Sequence, residues 1–488
     1  MKRLITAITW LAATLVPDAT PAQQVKITGT STAQLIQLRP LVTDSIAAGD
    51  AIGEGLIRRT AEGHLVRCVT GERVCRFTRS GDVATVAPVI QDVTVTAWGF
   101  GQGMRVFTQL RSRAAIGGRE ELWPRADDAL DVLVAFLEWD RDRIRARAGR
   151  QWKTSGLGWY NFDGASLLFR AGRDLSLEAY GGWSLARGLN EQRTSDALAA
   201  IEPFAPDARA LLVGAQVSYR PLPGLGLGAL YQREIRADRL GLYAERVAAD
   251  AVYRRNRAFV SASLEADAAA RQINDARLSV SVERGRHWTA RAFARRYRPF
   301  FELWTIWGAF APVGFTEAGA GASWRTTDRP AEVHFDLARR TWDDTDASTT
   351  FGTARSTGWN AGATGALRPS PAWLVQAGYR IDFGYGAARD QIDARVQRDL
   401  GDGAFLAASA IGFERQFEFR VAEGTVWGIG GDGRIRIGPR THLAGSLMTY
   451  RHHGAGTAPD VDWSQTRGLL RLDWTLGPEP GLAPARDP

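Results

Sequence analysis

The sequence is poor in lysine, cysteine and histidine, and it contains no long hydrophobic run. Only two Cys and six His occur among the 488 residues, which excludes a disulfide-rich secreted fold. No stretch of about 18 or more apolar residues is present, which excludes a membrane protein built from helices. The hydrophobic share of 45% excludes a disordered or collagen-like chain. A long folded chain remains, whose apolar residues either fill a core or cover a membrane-facing surface.

The charge balance is basic and is carried almost entirely by arginine. Lys and Arg number 61 against 53 Asp and Glu, and the only lysines are Lys2, Lys26 and Lys153. Arginine forms planar, bidentate contacts and keeps its charge at every physiological pH. Acidic residues are interspersed with the arginines, and aromatic residues recur along the whole chain instead of clustering in one basic patch. A nucleic-acid partner is therefore not expected.

Residues 1–22 have the pattern of a secretory signal peptide. A charged start, Lys2 and Arg3, precedes an apolar stretch at 4–16, and small residues end the segment near Ala22. The apolar stretch is too short to cross about 30 Å of hydrocarbon, which argues against the alternative of a membrane anchor. We therefore expect the chain to be exported from the cytoplasm.

The two cysteines lie in the segment Cys68-Val-Thr-Gly-Glu-Arg-Val-Cys75. Gly71 and Glu72 suit a two-residue turn of type II′, which requires glycine at its first position. Such a hairpin places the cysteines opposite each other at a Cα separation of about 5.5 Å, which a disulfide can bridge. Two cysteines without converging histidines make a poor zinc site. The segment is thus predicted to be a disulfide-stapled hairpin.

The strongest pattern is an alternation of apolar and polar residues with a period of two, repeated from about residue 90 to the end. In 371–385 the odd positions are apolar or aromatic and the even positions are largely polar. In 405–413 the odd positions are likewise assigned to the apolar face. These odd residues are Trp373, Val375, Ala377, Tyr379, Ile381, Phe383 and Tyr385, and then Phe405, Ala407, Ser409, Ile411 and Phe413.

A soluble β-sandwich would also alternate, so the composition of the two faces has to decide between the folds. The polar face carries Arg, Asp, Gln, Gly and Tyr instead of the Lys and Glu that are common on solvated sheets. The apolar segments often end in Trp or Tyr, which is typical of the interfacial girdles of transmembrane barrels. The predicted fold class is therefore all-β, a transmembrane antiparallel β-barrel.

Turn spacing predicts about 20 strands, within a range of roughly 18–22, over residues 90–476. Short links alternate with longer ones, such as 154–164, as short periplasmic turns alternate with longer outer loops in outer-membrane barrels. Residues 23–89 are expected to form a small β segment, periplasmic or plugging the lumen, unless they add two strands to make 22. Residues 477–488 form a proline-rich tail that cannot be a strand. The apolar link 300–315 either folds into the lumen or binds a partner, or else forms strand ends within the aromatic girdle.

Residues 149–165 read Gly-Arg-Gln-Trp-Lys-Thr-Ser-Gly-Leu-Gly-Trp-Tyr-Asn-Phe-Asp-Gly-Ala. This resembles the strand, outer loop and return strand of porin-like barrels of the alginate-export type, in which Gly-Arg-Gln closes one strand and Phe-Asp-Gly opens the next. The matching positions are Gly149, Arg150, Gln151, Phe162, Asp163 and Gly164. The resemblance implies a barrel that conducts anionic polysaccharide or small solutes through an arginine-lined lumen. The alternative is that these residues shape a loop whose turn is capped by Asp163.

The histidines fit no catalytic or metal-binding motif. None forms His-x-x-x-His or follows a Cys-x-x-Cys pair. His442 and Ser446 share a strand face but would lie about 13 Å apart, too far for a base and its nucleophile. The segment 428–433 formally fits a dinucleotide fingerprint, but it lies in a period-two strand with no following helix. No catalytic residue, metal or cofactor is therefore predicted, and a barrel-embedded hydrolase is only the second alternative for the function.

Alternation assigns a set of arginines to the inner face, with acidic residues among them as ion-pair partners. A ring of arginines in a pore favours anions, whereas ion pairing between neighbouring strands is the structural use of the same residues. The acidic residues are Glu178, Glu283, Asp336, Asp382, Asp393 and Asp473. The pore-lining candidates are Arg143, Arg145, Arg147, Arg291, Arg295, Arg380, Arg395, Arg434, Arg436 and Arg471.

The sequence thus predicts an outer-membrane channel of a Gram-negative-type bacterium for the passive, mildly anion-selective passage of solutes. The expected partners are outer-membrane lipid, lipopolysaccharide and small or polymeric anionic solutes. The first alternative function is a sheath, in which the barrel surrounds a periplasmic or cytochrome partner that brings its own haem.

Overall fold

The computed structural model describes residues 24–39, 41–69, 71–116, 130–187, 210–236, 241–298, 314–326, 330–343, 356–384, 387–418, 421–454 and 462–478. None of these residues belongs to a helix long and apolar enough to cross a membrane. The predicted signal peptide, most of the apolar link 300–315 and all of the predicted tail beyond residue 478 lie outside the described residues.

The described chain forms 26 strands. They are β1 Gln24–Leu38, β2 Leu41–Ala47, β3 Ile57–Arg59, β4 Leu65–Cys68, β5 Val74–Ser80, β6 Ala84–Trp98, β7 Met104–Ile116, β8 Leu130–Arg141, β9 Ile144–Ser155, β10 Gly158–Ala171, β11 Leu175–Arg187, β12 Ala210–Leu222, β13 Leu225–Arg236, β14 Leu242–Arg255, β15 Ala258–Asp267, β16 Gln272–Arg284, β17 Trp288–Tyr297, β18 Phe315–Arg325, β19 Ala331–Trp342, β20 Thr357–Ser370, β21 Trp373–Gly384, β22 Ala387–Gly401, β23 Ala404–Glu418, β24 Val421–Gly438, β25 Thr441–Gly454 and β26 Trp463–Leu476.

Twenty-two of these strands, β1 and β6–β26, form one antiparallel sheet that closes on itself. The closure joins the two ends of the chain, since β1 pairs with β26 and places Ile27 opposite Leu476. The predicted all-β barrel is confirmed as a closed antiparallel barrel. The preferred count of about 20 strands is wrong, and so is the start of the wall at residue 90, because β1 and all of β6 belong to the wall. The alternative, in which residues 23–89 add two strands to make 22, matches the observed wall. The sequence around β1 does not reveal that this strand belongs to the wall, because the hydrogen-bond partner of Thr30 is Asp473, 443 positions away.

The remaining four strands form a separate small sheet in the order β2-β5-β4-β3. Cys68 lies opposite Cys75, with their Cα atoms 4.3 Å apart, and the predicted disulfide joins them. The turn differs by one position from the prediction, because the amide of Glu72 donates to the carbonyl of Val69 and so places Gly71 third, at φ +92°. Around the disulfide, one face of the sheet is buried by Ala51, Val66, Ile46, Ala48 and Phe77.

All the links at one end of the barrel are short, whereas the other end has both short and long links. Two- to five-residue turns such as 142–143, 223–224 and 402–403 lie at one end, together with the start of β1 and the end of β26. The small sheet lies at the other end, since it is inserted between β1 and β6, and not at the short-turn end that the sequence assigned to the periplasm. The predicted link 154–164 is also wrong, because β9 and β10 continue until Ser155 lies opposite Gly158.

Contacts between strands that are not neighbours identify the lumenal face, since such side chains can meet only on the concave side. Arg380 of β21 reaches Asp336 of β19, and Arg395 of β22 reaches Asp432 of β24. Because cross-strand partners share a face, the registers extend this assignment around the barrel.

The opposite, exterior face is apolar along the strands and aromatic at their ends. Leu167, Phe335 and Ile429 are exposed to between 52% and 60% on this face. At the short-turn end a ring of aromatic side chains lies within three residues of a strand end. These residues are Trp139, Tyr219, Tyr253, Trp288, Trp324, Trp373 and Trp474.

The face assigned to 405–413 is reversed over residues 405–411, whose side chains the structure describes. Ser409 lies opposite Arg395, and the guanidinium of Arg395 lies 5.9 Å from the ring of Phe405, so the odd positions from 405 to 411 face the lumen. Leu406, 62% exposed, faces outward instead. The error arises because both faces of this strand are apolar, so that alternation alone does not distinguish them.

Candidate functional site: the lumenal wall and an in-folded hairpin

Five of the ten arginines predicted to line the pore are held by carboxylates. Their nearest nitrogen–oxygen distances run from 2.5 to 4.0 Å. The pairs are Arg147 with Glu138, Arg295 with Asp275, Arg380 with Asp336, Arg395 with Asp432 and Arg471 with Asp473. Most of these pairs cross between strands, so they brace the wall as well as placing charge in the lumen.

The other five arginines form no ion pair with the described side chains. Arg145, Arg291 and Arg434 lie on the lumenal face by register. Arg436 donates instead to the carbonyls of Gly438 and Pro439 at the end of β24. Arg143 is not part of the wall, because it lies in the two-residue turn between β8 and β9.

Only some of the acidic residues that were predicted as partners form ion pairs. Asp336 and Asp473 bind Arg380 and Arg471, whereas Glu178 binds Lys153 at 2.5 Å. Glu283, Asp382 and Asp393 form no ion pair with the described side chains. Sequence reasoning missed Glu138, Asp275 and Asp432, although the same alternation places all three on the inner face.

Arginine also lies over aromatic rings around the lumenal wall. The distances from guanidinium carbon to ring centre run from 4.4 to 5.9 Å, within the range of cation–π contacts. The pairs are Arg147 with Phe136, Arg291 with Phe293, Arg295 with Tyr297, Arg340 with Phe315, Arg395 with Phe405 and Arg467 with Tyr450. The wall therefore holds several of its cations against aromatic rings.

The six residues of the Gly-Arg-Gln and Phe-Asp-Gly motifs are direct cross-strand partners. Gly149 lies opposite Gly164, Arg150 opposite Asp163 and Gln151 opposite Phe162. Arg150 donates two hydrogen bonds to the carboxylate of Asp163, at 2.7 and 3.0 Å. Asp163 thus pairs with Arg150 across the hairpin and does not cap a turn.

This hairpin, residues 149–164, bends into the lumen at its tip, while β10 stays in the wall, paired with β11 as far as Tyr160 opposite Arg187. β9 pairs with β8 only as far as Arg150 opposite Ala135, and continues beyond that point with β10 alone. Gly149 makes the departure possible, because its φ of +126° is a glycine conformation and an added Cβ would lie 2.3 Å from the carbonyl oxygen of Ala135. At the tip, Leu157 is 2% exposed.

The tip of the hairpin packs against the inner wall of β12–β14. Leu157 belongs to one buried cluster with Leu212, Leu230 and Ala248, and a Cβ at Gly156 would lie 3.1 Å from that of Ala248. Tyr160 of the hairpin accepts a hydrogen bond from Arg246 of β14, four strands away. The hairpin is therefore anchored by apolar contacts at its tip and by a hydrogen bond to a strand four positions along the wall.

A cavity of about 430 Å³ remains between the hairpin and the wall formed by β1 and β6–β9. Its three cationic side chains are Lys26, Arg105 and Arg147, and Glu138 accepts from both arginines at 2.5 and 2.6 Å. The remaining lining consists of aromatic rings and hydroxyls, namely Phe107, Phe136, Trp152, Thr28, Thr94 and Thr96. Two arginines that share one carboxylate leave this part of the lumen electropositive.

The residues considered for catalysis stay apart from one another. His442 of β25 lies opposite Asp473 of β26, and Ser446 of β25 lies opposite Asp432 of β24. His442 and Ser446 are therefore four residues apart on one strand. Within the described residues no group of three His, Cys, Asp or Glu side chains is placed to hold a metal. The segment 428–433 lies inside β24, where the dinucleotide fingerprint has no helix after it.

No protein-family model matches the chain, and no curated protein matches it. Among solved structures, the chain is similar to OccK3 (OpdO) of Pseudomonas aeruginosa, with 10% identity over 93% of this chain and 96% of that one and a TM-score of 0.38. It is similar to a BenF-like porin of Pseudomonas fluorescens Pf-5, with 9% identity, 93% and 99% coverage and a TM-score of 0.44. OccAB2 of Acinetobacter baumannii has 10% identity, 94% and 98% coverage and a TM-score of 0.41.

Proposed function

We propose that this protein is an outer-membrane channel for the passive, mildly anion-selective passage of solutes. The observation that carries the proposal is a closed 22-stranded barrel with an apolar, aromatic-ended exterior and an arginine-lined interior. An exterior of that kind is matched to a bilayer, because every backbone polar group of a closed barrel is paired within the sheet. Barrels of this size are too wide to be filled by their own side chains.

The anion preference is assigned to the cavity beside the in-folded hairpin. There Arg105 and Arg147 share one carboxylate, that of Glu138, whereas elsewhere many of the lumenal arginines have a carboxylate each. An anion passing this point gains favourable contacts that a cation lacks. The preference is mild because Glu138 cancels part of the positive charge.

The test is the reversal potential of the refolded protein in a planar bilayer under a potassium chloride gradient. We expect the sign of the reversal potential to show that chloride is the more permeant ion. In a K26Q/R105Q variant, the ratio of chloride to potassium permeability should move towards unity. Arg173→Gln is the matched control, because Arg173 is an exposed arginine in the turn between β10 and β11 and its loss leaves the cavity unchanged. A cation-selective pore would refute the anion preference. A barrel that inserts but never conducts would support the alternative sheath around a partner.

A further inference from the structure

One face of the small β2–β5 sheet is unusual for a solvated surface. The opposite face holds the disulfide and its buried core, whereas this face presents Ile57, Leu65 and Val74 at 67%, 59% and 41% exposure. By register it also presents Arg67 directly opposite Arg76, both exposed. Neither guanidinium forms an ion pair or hydrogen bond with the described side chains.

Both features oppose a surface that meets only water. Like charges directly opposite one another on adjacent strands destabilise a sheet. The outer face of an antiparallel sheet is ordinarily polar, because its alternation is apolar inward and polar outward. An anionic partner with an apolar portion would offset the repulsion between the arginines and cover the aliphatic side chains together.

The tether of the sheet places it beside the membrane surface. Only residues 39–40 and 81–83 separate the sheet from β1 and β6, so it lies within about 10 Å of the barrel rim. β1 and β6 each have 15 residues, which at about 3.3 Å per residue and a tilt near 40° exceed the roughly 25 Å apolar band of such barrels. The sheet therefore lies at the level of the lipid headgroups.

From these observations we infer that this face docks onto the phosphate-bearing headgroups of the surrounding leaflet. Arg67 and Arg76 bind lipid phosphates, for which the guanidinium fork is suited, and Ile57, Leu65 and Val74 enter the boundary between headgroups and acyl chains. The inference rests on the proposed membrane insertion but not on conduction. A barrel that inserts without conducting would leave it intact.

The test is amide hydrogen exchange of the full chain in nanodiscs, followed by mass spectrometry of peptides covering 56–80. Nanodiscs of phosphatidylcholine alone are compared with nanodiscs containing about 30% phosphatidylglycerol. With two arginines at an anionic surface, we expect exchange in the wild type to slow on the order of 20-fold in the anionic discs. Insertion is checked independently by the change in electrophoretic mobility between boiled and unboiled samples.

The R67Q/R76Q variant distinguishes lipid binding from a structural role for the arginines. Because it removes a repulsion, it should exchange no faster than the wild type in phosphatidylcholine, yet it should lose the slowing in anionic discs. R173Q/R286Q, which removes two exposed charges from turns at the other barrel end, should retain the full slowing. Equal exchange of the wild type in both lipids would overturn the proposal. Protection that depends on protein concentration would also overturn it, because it would identify a second copy of the chain as the occupant of this face.

Discussion

Tyr180 of β11 donates a hydrogen bond of 2.8 Å to Gln232 of β13, across the strand that lies between them. The intervening register position is Gly214, which lies opposite both residues. A Cβ there would lie 2.3 Å from the ring of Tyr180, so the bond exists because the middle strand has no side chain at this point. Phe162 of the hairpin packs on the same ring, with the ring centres 5.7 Å apart. Gly214 thereby permits the position of the Tyr180 ring, against which Phe162 of the hairpin packs.

Gly214→Val should displace Tyr180 and break its bond to Gln232. Both side chains are at least 95% buried, so the cost combines overpacking with a buried donor and acceptor left unpaired, about 2–4 kcal/mol in all. The measurement is the urea midpoint for loss of the unboiled band on electrophoresis. Gly226→Val is the control, because Gly226 lies on the lumenal face of the neighbouring strand with open space around it. Equal destabilisation by the two variants would contradict the role given to Gly214.

Gly149→Ala should move the tip of the hairpin off the inner wall of β12–β14 and raise single-channel conductance. The added Cβ would meet the carbonyl of Ala135, which stays paired in the wall, so the hairpin has to yield rather than the wall. Gly158 also has a positive φ, of +103°, but an added Cβ would meet nothing there. Gly158→Ala therefore imposes the backbone strain without the clash and should leave conductance near that of the wild type. Unchanged conductance in both variants would show that the hairpin does not narrow the open pore.

The small sheet should lose stability in acid through Asp44. The hydrogen bond from Arg79 lowers the pKa of the Asp44 carboxyl in the folded protein. A lowered folded-state pKa means that the ion pair stabilises the sheet above the unfolded-state pKa of about 3.9, and that this contribution disappears as pH falls through the folded value. Hydrogen exchange of peptides 41–47 and 74–80 should therefore accelerate below about pH 4 more steeply in the wild type than in D44N. Parallel pH profiles would contradict this assignment.

The sequence predicted local pairings well and long-range ones poorly. Cys68 and Cys75 are seven positions apart, so the turn between them and the oxidising compartment sufficed to predict the disulfide. The place of β1 in the wall, by contrast, depends on pairing with β26 at the far end of the chain. No property of residues 24–38 alone carries that information.

The in-folded hairpin shows a second limit. The resemblance at 149–165 singled out Gly149, Arg150, Gln151, Phe162, Asp163 and Gly164, and the structure places these six residues opposite one another on β9 and β10. The contact of Tyr160 with Arg246 joins strands four apart, and depends on the curvature of the closed wall. The alternation of apolar and polar residues shows which face of a strand each side chain lies on. It therefore cannot predict which side chains meet across the lumen.

The Arg150–Asp163 pair should contribute coupling energy to the hairpin beyond that of an ordinary surface ion pair. The two side chains are 22% and 31% exposed, their contact is bidentate, and Arg150 also donates to the carbonyl of Val132 on β8, where β9 leaves the wall. In a double-mutant cycle of Arg150→Ala and Asp163→Ala we expect a coupling of about 1–2 kcal/mol in the free energy of unfolding.

The same cycle on Arg79 and Asp44, both more than 40% exposed, should give a much smaller coupling, because solvent screens that pair. If Arg150–Asp163 holds the hairpin in place, each single variant should also show the raised conductance expected of Gly149→Ala. A normal conductance with a large coupling would mean that the pair stabilises the hairpin internally while the apolar tip at Leu157 keeps it against the wall.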